Sequence, residues 1–348
     1  MHTETVDLLI GTYPADGTEP GSGEGIWRVA LDRRSGSLTG ERLLATTTAP
    51  SFLALHPSRP VLYAVREAEQ GSVSAFAVED DSLNLLGAVA TGGSFPCHLR
   101  VAEGRLWVAN YGDGAVTRLD LNEQGEPVED PAVYRNTGSG PNPERQDGPH
   151  AHYIHDAGHG QLWVSDLGTD EVRRFTASGP NGVVVQLAAG TGPRHMTTLP
   201  GGAVVVVGEL DSRLHVLRTD GSDLPLSPVP ALAASVPAGQ PSQPSHVDVG
   251  ASTGTRNLLY AATRGPDVLA VFTVSGEQTL THLSDSPVGG SWPRHFAVVP
   301  AEDDAADFVV VANQGSSTLD VLCVQASGQV DQVHSLNLPA PACVIPAR

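Results

Sequence analysis

Seven proline-led units at a nearly constant interval constrain this chain more than any other feature. The prolines are Pro50, Pro96, Pro149, Pro193, Pro244, Pro293 and Pro341, at intervals of 46, 53, 44, 51, 49 and 48 residues. Each opens a short apolar run, and in most units a histidine stands within a few residues of the proline, as in Pro-Cys-His-Leu from Pro96 and Pro-Arg-His-Phe from Pro293. A second apolar run follows in residues 61–67, 106–110, 162–166, 204–209, 258–264 and 308–313, ending on Glu67, Asn110, Asp166, Glu209, Arg264 and Asn313. After a Gly/Asp/Ser turn comes a third, alternating run, such as residues 72–78 and 268–274, then a weaker fourth at 83–87 and 280–283.

A self-similar period near fifty residues, four strand-like runs per unit and seven units predict an all-β chain, a seven-bladed β-propeller with four-stranded blades. Helical periodicity is absent. The length alone suggests two domains, but the repeat argues for one closed domain over residues 1–348. Residues 341–345 read as an innermost strand with no blade after them, and residues 6–12 as a second strand with no first. The C-terminal strand is therefore expected to join the N-terminal blade, leaving no open seam. Two insertions, residues 120–148 and 220–243, carry much of the Gly and Pro and are expected to lie over one face as loops.

Composition narrows the function classes. The formal net charge is −19, from 39 acidic and 20 basic residues, which argues against nucleic acid and anionic membrane as partners. All the basic residues are Arg. A Schiff-base lysine is excluded, and an anionic ligand must be met by Arg, His or backbone N–H. Three cysteines (Cys97, Cys323, Cys343) without a CxxC pair suit a reducing compartment and give no structural zinc site. The opening Met-His-Thr-Glu-Thr-Val-Asp has neither a basic nor an apolar region, so no signal peptide is expected. No run is long enough to span a bilayer. A cytoplasmic protein is the expectation; the sequence is silent on oligomeric state.

In a propeller the innermost strands converge, so residues at one repeat position form a ring. One such ring is the histidine slot: His98, His150 or His152, His195, His246 and His295. The other is the polar end of the second run. Both have bland readings. A repeated His beside Pro can be a turn-fixing hydrogen-bond device, which is the expectation for His98 and His246, and a strand end can simply be solvated. The pair His150 and His152, behind the Gly- and Pro-rich loop 137–149, can be two solvated histidines on a surface loop.

Differences between units are what a repeat leaves unexplained. With the unit that holds residues 6–12 counted as the first, unit four alone has a doubled histidine, Pro-His-Ala-His from Pro149, with Arg145 just upstream. Arg194 and Arg294 precede the histidines of units five and seven. Arg264 ends the second run of unit six, and Glu209 that of unit five. Histidine is the usual proton-transfer group near neutral pH, and arginine the fixed cation for a carboxylate or phosphate. His150 or His152 and Glu209 are thus candidates for proton transfer, with Arg194 and Arg264 for an anionic substrate.

The segments Gly-Ser-Gly-Pro-Asn-Pro-Glu-Arg-Gln-Asp-Gly-Pro-His-Ala-His (138–152), Val-Ser-Asp-Leu-Gly-Thr-Asp (164–170), Gly-Pro-Arg-His (192–195) and Pro-Arg-His-Phe from 293, with Val-Ala-Asn-Gln from 311, resemble the seven-bladed propeller lactonases. That family includes bacterial cycloisomerase-2-type 6-phosphogluconolactonases and fungal carboxy-muconate lactonizing enzymes. The similarity runs over essentially the whole chain, and Gln-x-x-Pro-His-Ala-His is its most specific part. The resemblance implies a lactone-handling enzyme without metal or other cofactor, acting in the central cleft. The proposed active-site set of the muconate enzymes falls here on His152 or His150, Arg194, Glu209 and Arg264; Arg145, Arg294, His295 and Asn313 are further substrate-binding candidates. Cys97 departs from the Arg of units five and seven, outside that set.

Three functions follow for comparison. The leading one is hydrolysis of 6-phosphogluconolactone, a small anionic sugar lactone, in the pentose phosphate route. A muconate-type cycloisomerase, or a lactonase for another sugar acid, would use the same groups. A non-catalytic binding propeller would show a broad apolar or aromatic patch on an outer face and nothing unit-specific in the cleft.

Overall fold

Short runs rich in Val, Leu, Ala and aromatic residues, broken by Gly, Asp and Ser turns, favour strands because branched and planar side chains fit a pleated, half-buried surface. In the computed structural model no helix occurs among the described residues, and none is therefore long and apolar enough to cross a membrane. The structure describes residues 4–13, 23–80, 82–218, 228–232, 240–276 and 278–347.

The strands form seven four-stranded sheets. Thr5–Thr12 (β1), Gly25–Asp32 (β2) and Leu38–Thr46 (β3) share a sheet with Pro341–Pro346 (β28), in the order β28-β1-β2-β3. The next holds Leu53–Leu55 (β4), Val61–Arg66 (β5), Ser72–Val78 (β6) and Leu83–Ala90 (β7). Pro96–Ala102 (β8), Arg105–Asn110 (β9), Val116–Asp120 (β10) and Ala132–Tyr134 (β11) form the third. Ala151–Gly158 (β12), Gln161–Asp166 (β13), Glu171–Thr176 (β14) and Gly179–Gln186 (β15) form the fourth. Pro193–Thr198 (β16), Val204–Gly208 (β17), Arg213–Leu217 (β18) and Val229–Pro230 (β19) form the fifth. Gln243–Val249 (β20), Leu258–Arg264 (β21), Val268–Val274 (β22) and Leu280–Pro287 (β23) form the sixth. Pro293–Pro300 (β24), Ala306–Asn313 (β25), Thr318–Gln325 (β26) and Val330–Asn337 (β27) complete the set. Seven four-stranded antiparallel sheets, six of sequential strands and one in which β28 joins β1–β3, are the blade inventory that the Pro-led units predict.

The expected closure is present. β28 pairs antiparallel with β1, Leu9 opposite Ile345 and Ile10 opposite Val344. The first insertion differs from its expectation in part. It contributes β11, which pairs with β10 through Val116 opposite Tyr134, so this stretch supplies an outer strand as well as a loop. Of the second insertion, residues 228–232 and 240–243 are described and supply β19 and the start of β20; the remainder lies outside the described residues.

The backbone divides into two compact units, Met1–Gly23 with Trp27–Arg42 and His195–Arg348, and Glu24–Ile26 with Leu43–Arg194. The larger unit is packed by apolar clusters between consecutive sheets. One joins Leu8, Ile10, Val29 and Leu31 to Val310, Val321 and Val344; others join Val205, Val207 and Leu214 to Leu259 and Phe272, and Tyr260 and Val271 to Phe296 and Val311. In the smaller unit Tyr63, Val65 and Val73 pack on Leu99, Leu106 and Val108, and Trp107, Ala109 and Val116 pack on Ile154, Leu162 and Phe175. Alternation within each strand places these residues on buried faces.

The prolines mark a shared backbone device. The preceding residue lies in the left-handed region in five units: Ala49 (φ 52°), Phe95 (49°), Gly192 (60°), Trp292 (58°) and Ala340 (40°). A residue before proline ordinarily prefers extended backbone. The large aromatic side chains Phe95 and Trp292 are held there against that preference, a type of local strain that collects near functional positions.

Candidate functional site

The innermost strands carry a bulge one residue after the proline slot. Pro96 lies opposite Asn110 and His98 opposite Ala109, so Cys97 is skipped. Pro244 and His246 likewise flank Ser245, and Pro293 and His295 flank Arg294. In β12 the register runs from Ala151 opposite Asp166 to Tyr153 opposite Ser165, and the skipped residue is His152. This corrects the sequence alignment of unit four. His152 occupies the bulged position of Cys97 and Arg294, which Arg194 shares by its place in Pro-Arg-His, and Tyr153 stands in the histidine slot. A bulge turns one side chain out of the alternating pattern, which is how sheets re-aim residues beside active sites.

In the smaller unit the candidates gather around Tyr111, in the turn after β9. Its ring lies 4.6 Å from that of His150, nearly parallel, and 5.6 Å from that of His152, edge-on. Arg145 donates to the Tyr111 hydroxyl, with Nη2 at 3.2 Å. Both histidines are buried, so the reading of two solvated loop residues does not hold. His150 is held at both ring nitrogens: Nδ1 lies 2.6 Å from the Tyr111 carbonyl oxygen and Nε2 3.0 Å from Asp147 Oδ1. Its backbone N–H donates to Asp166 Oδ1 at 2.8 Å. Burial raises the Asp166 carboxyl above the usual carboxylate range, opposed by the hydrogen bonds from Asn136 and the His150 N–H and by the charge of Arg173. Arg194 is among the largest fully buried side chains, and its carbonyl accepts from Ser165 Oγ at 2.5 Å.

In the larger unit Glu209 and Arg264 form a buried ion pair, Nη2 to Oε2 2.6 Å, with side chains 1 % and 8 % exposed. The Arg264 guanidinium lies over the Trp292 ring at 5.3 Å and its Nε donates to the Gln243 carbonyl at 3.3 Å. The half-buried Arg294 lies over the Tyr13 ring at 4.4 Å. Asn110, Asp166, Glu209, Arg264 and Asn313 are all buried. The solvated reading of these strand ends therefore fails.

Other candidates are tied into the scaffold. The amide nitrogen of Asn313 donates to Asp320 Oδ2 at 2.8 Å and the Val288 carbonyl at 3.2 Å. His295 Nδ1 accepts the Val344 N–H at 3.4 Å, and its ring stacks on His246 at 4.0 Å. His98 does the same in the smaller unit, accepting the Ile154 N–H at 3.2 Å between the rings of Phe52 and Tyr153. These histidines hold a strand of the following sheet; the sequence suggests a turn-fixing role for His98 and substrate binding for His295. His246 faces His195 with Nδ1 to Nδ1 at 2.8 Å. One nitrogen must donate and the other accept, which sets the two tautomers in opposition. Among the described residues no group of three or more His, Cys, Asp or Glu side chains is arranged to hold a metal ion.

Comparison with known proteins bears on what these residues serve. The family model described as "Lactonase, 7-bladed beta-propeller" matches residues 7–346. This chain belongs to that family. Among lactonase relatives, a 6-phosphogluconolactonase of Bacillus subtilis is 30% identical over 358 residues, covering 96% of each chain. Another, from Formosa agariphila, is 26% identical with 90% of each covered. A periplasmic gluconolactonase of Pseudomonas aeruginosa has a structure that superposes with a TM-score of 0.85 at 25% identity, covering 99% of both chains.

In this lactonase-family chain Tyr111, Gln146, Asp170 and Trp292 hold roles that the sequence did not assign to them. Tyr111 and Trp292 carried a legible signal, since each flanks a repeat landmark: Tyr111 follows the polar strand end Asn110, and Trp292 precedes Pro293. Gln146 and Asp170 act through partners distant in sequence.

Proposed function

We propose that this protein hydrolyses a sugar lactone, with 6-phospho-D-glucono-1,5-lactone as the substrate and 6-phosphogluconate as the product, in the pentose phosphate route. The observation that supports this best is the shared bulge position of His152 and Arg294, with Arg194 by sequence. It turns one titratable group and two cations out of the sheet pattern in a lactonase-family chain. A lactone hydrolase needs a base for water, a donor for the oxyanion and cations for the phosphate.

His152 is assigned as the base. His150 is the weaker choice, because both its ring nitrogens already face acceptors, the Tyr111 carbonyl and the Asp147 carboxylate. His152 takes a proton from water as the oxygen attacks the lactone carbonyl. The tetrahedral oxyanion is stabilised by an arginine, Arg264 in this assignment, oriented by its pair with Glu209. Collapse of the intermediate breaks the ring C–O bond, and the His152 imidazolium returns the proton to the departing ring oxygen. Arg194, Arg145 and Arg294 are the cations assigned to the phosphate.

A second reading, an unphosphorylated gluconolactone, is favoured by the likeness to the Pseudomonas aeruginosa protein. With the phosphorylated substrate we assign the enzyme to the cytoplasm, a reducing compartment that suits Cys97, Cys323 and Cys343, none of which forms a disulfide. Initial rates of the purified protein on both lactones, corrected for spontaneous hydrolysis, separate the readings. The proposal expects kcat/KM at least about tenfold higher for the phosphorylated lactone, the value of one charge-assisted contact. Rates equal to the spontaneous ones for both lactones would overturn it.

A further inference from the structure

Asp170 lies in the turn between β13 and β14, buried at 2 % exposure and in the left-handed region at φ 59°. Part of its role recurs in the sixth sheet. Asp267, in the corresponding turn between β21 and β22 with φ 56°, accepts the N–H of Trp292 at 2.9 Å, just before Pro293. Asp170 Oδ1 likewise accepts the N–H of Gly192 at 2.7 Å, just before Pro193. A turn aspartate that ties down the start of the following sheet is thus a shared structural device.

Asp170 does more than Asp267. Its Oδ2 accepts the Gly190 N–H at 2.8 Å, and its Oδ1 also accepts Gln146 Nε2 at 2.8 Å. Gln146 is fully buried and is the strut of loop 138–148. Its Nε2 also donates to the Leu167 carbonyl at 2.9 Å, and its Oε1 accepts the Asn142 N–H at 3.2 Å. Its backbone carbonyl accepts the Gly140 N–H at 3.0 Å. A Cβ at Gly140 would lie 2.4 Å from the Gln146 side chain, so the loop closes on this residue. Arg145 and Asp147 flank Gln146, and Asp147 is the carboxylate on His150 Nε2.

We infer that Asp170 is a positioning residue of the lactonase site, one buried carboxylate that fixes two functional segments at once. Through Gln146 it sets the loop that carries Arg145 and leads into His150 and His152. Through Gly190 and Gly192 it sets the segment that carries Arg194. The inference rests on the lactone-hydrolase reading for its kinetic consequence. The chemistry requires a carboxylate: three N–H groups converge on two oxygens, and an asparagine would turn an NH2 toward at least one of them. Geometry held to a fraction of an ångström matters because a displacement near 1 Å can cost about 10²-fold in rate.

The test uses Asp170→Asn and Gln146→Ala in the full chain, with steady-state kinetics on 6-phosphogluconolactone and hydrogen–deuterium exchange. D170N is expected to lower kcat/KM about 10–100-fold, with kcat down and KM up, because both segments loosen. Q146A is expected to lower kcat and to raise KM by less than D170N does, because the loop of Arg145 loosens while Gly190 and Gly192 keep their acceptor. Exchange should quicken in residues 138–148 and 188–194 of D170N, and in 138–148 alone of Q146A. Should D170N fail to fold, the lowered kcat and the one-segment exchange of Q146A decide the matter. Parent-like kinetics in folded D170N, or Q146A loosening both segments or neither, would overturn the inference. If the parent protein hydrolyses no lactone, the lactonase reading falls by itself, and the exchange pattern still decides whether Asp170 couples the two segments.

Discussion

The buried pair Glu209–Arg264 allows stability and activity to be separated by substitution. With both side chains almost fully buried and 2.6 Å apart, Arg264→Met leaves a carboxylate in a low-dielectric site without its counter-charge. Breaking one half of a buried pair costs about 3–5 kcal/mol, whereas replacing both partners by neutral groups of similar volume is close to neutral. Glu209→Gln should likewise destabilise alone, and E209Q/R264M should recover to within about 1–2 kcal/mol of the parent. With an unfolding entropy of roughly 0.7 kcal/mol/K for a chain of this length, the R264M loss corresponds to a Tm about 4–7 °C lower. Activity should behave differently. A lost contact to a bound anion costs about 2–5 kcal/mol, at least about tenfold in kcat/KM, and the double variant cannot restore it. Calorimetry and lactone hydrolysis on the parent, both single variants and the double variant make the comparison. An R264M protein as stable as the parent would refute the pair's energetics, and a double variant with parental kcat/KM would refute the role of Arg264 in binding or catalysis.

His98→Ala should lower Tm by several degrees, because it removes a ring packed between Phe52 and Tyr153 and the acceptor of the Ile154 N–H; the surviving folded enzyme should keep its kcat/KM, and a tenfold loss would contradict the structural reading. Burial, aided by the charge of Arg100, pushes His155 down to about 4. The folded state therefore resists protonation. Its contribution is complete above the unfolded value of about 6.5 and is lost as pH falls from there toward 4, about 3 kcal/mol in all. Denaturant unfolding of His155→Gln should show a shallower fall across that window, and a slope equal to the parent's would contradict this. Deleting residues 339–348 removes the partner of β1 and should destabilise the protein strongly; a truncated protein that melts with the parent would rule out closure as a stabilising device. We also propose that residues 1–348 unfold as one domain, for which calorimetry should give a single transition and not two.

The fold was legible because a period near fifty residues survives substitution. The third strands of units two and six match their expected bounds, Ser72–Val78 and Val268–Val274. The fourth strands were read too short: β7 extends to Ala90 and β23 to Pro287. Most residues of β7 are partly or fully exposed, so no apolar alternation marks its end. β11 was hidden for the same reason, three half-buried residues inside a Gly- and Pro-rich stretch. The site was legible in residue type and not in register. The doubled histidine and the unit-specific arginines stood out as departures from the repeat. The bulge at His152 did not, because one skipped residue leaves no mark in composition or spacing. Gln146 and Asp170 lie in the family-like segments, but their role was not legible because it rests on a hydrogen bond between residues 24 positions apart.

The most direct measurement of the central claim is the pH dependence of kcat for 6-phosphogluconolactone hydrolysis in the parent, His152→Ala and His150→Ala enzymes. His152→Ala is expected to lose about 10²–10⁴ in kcat together with the limb of the profile that reports a group near neutrality, while His150→Ala keeps that limb. A His152→Ala enzyme with the parental rate and the parental profile would contradict it.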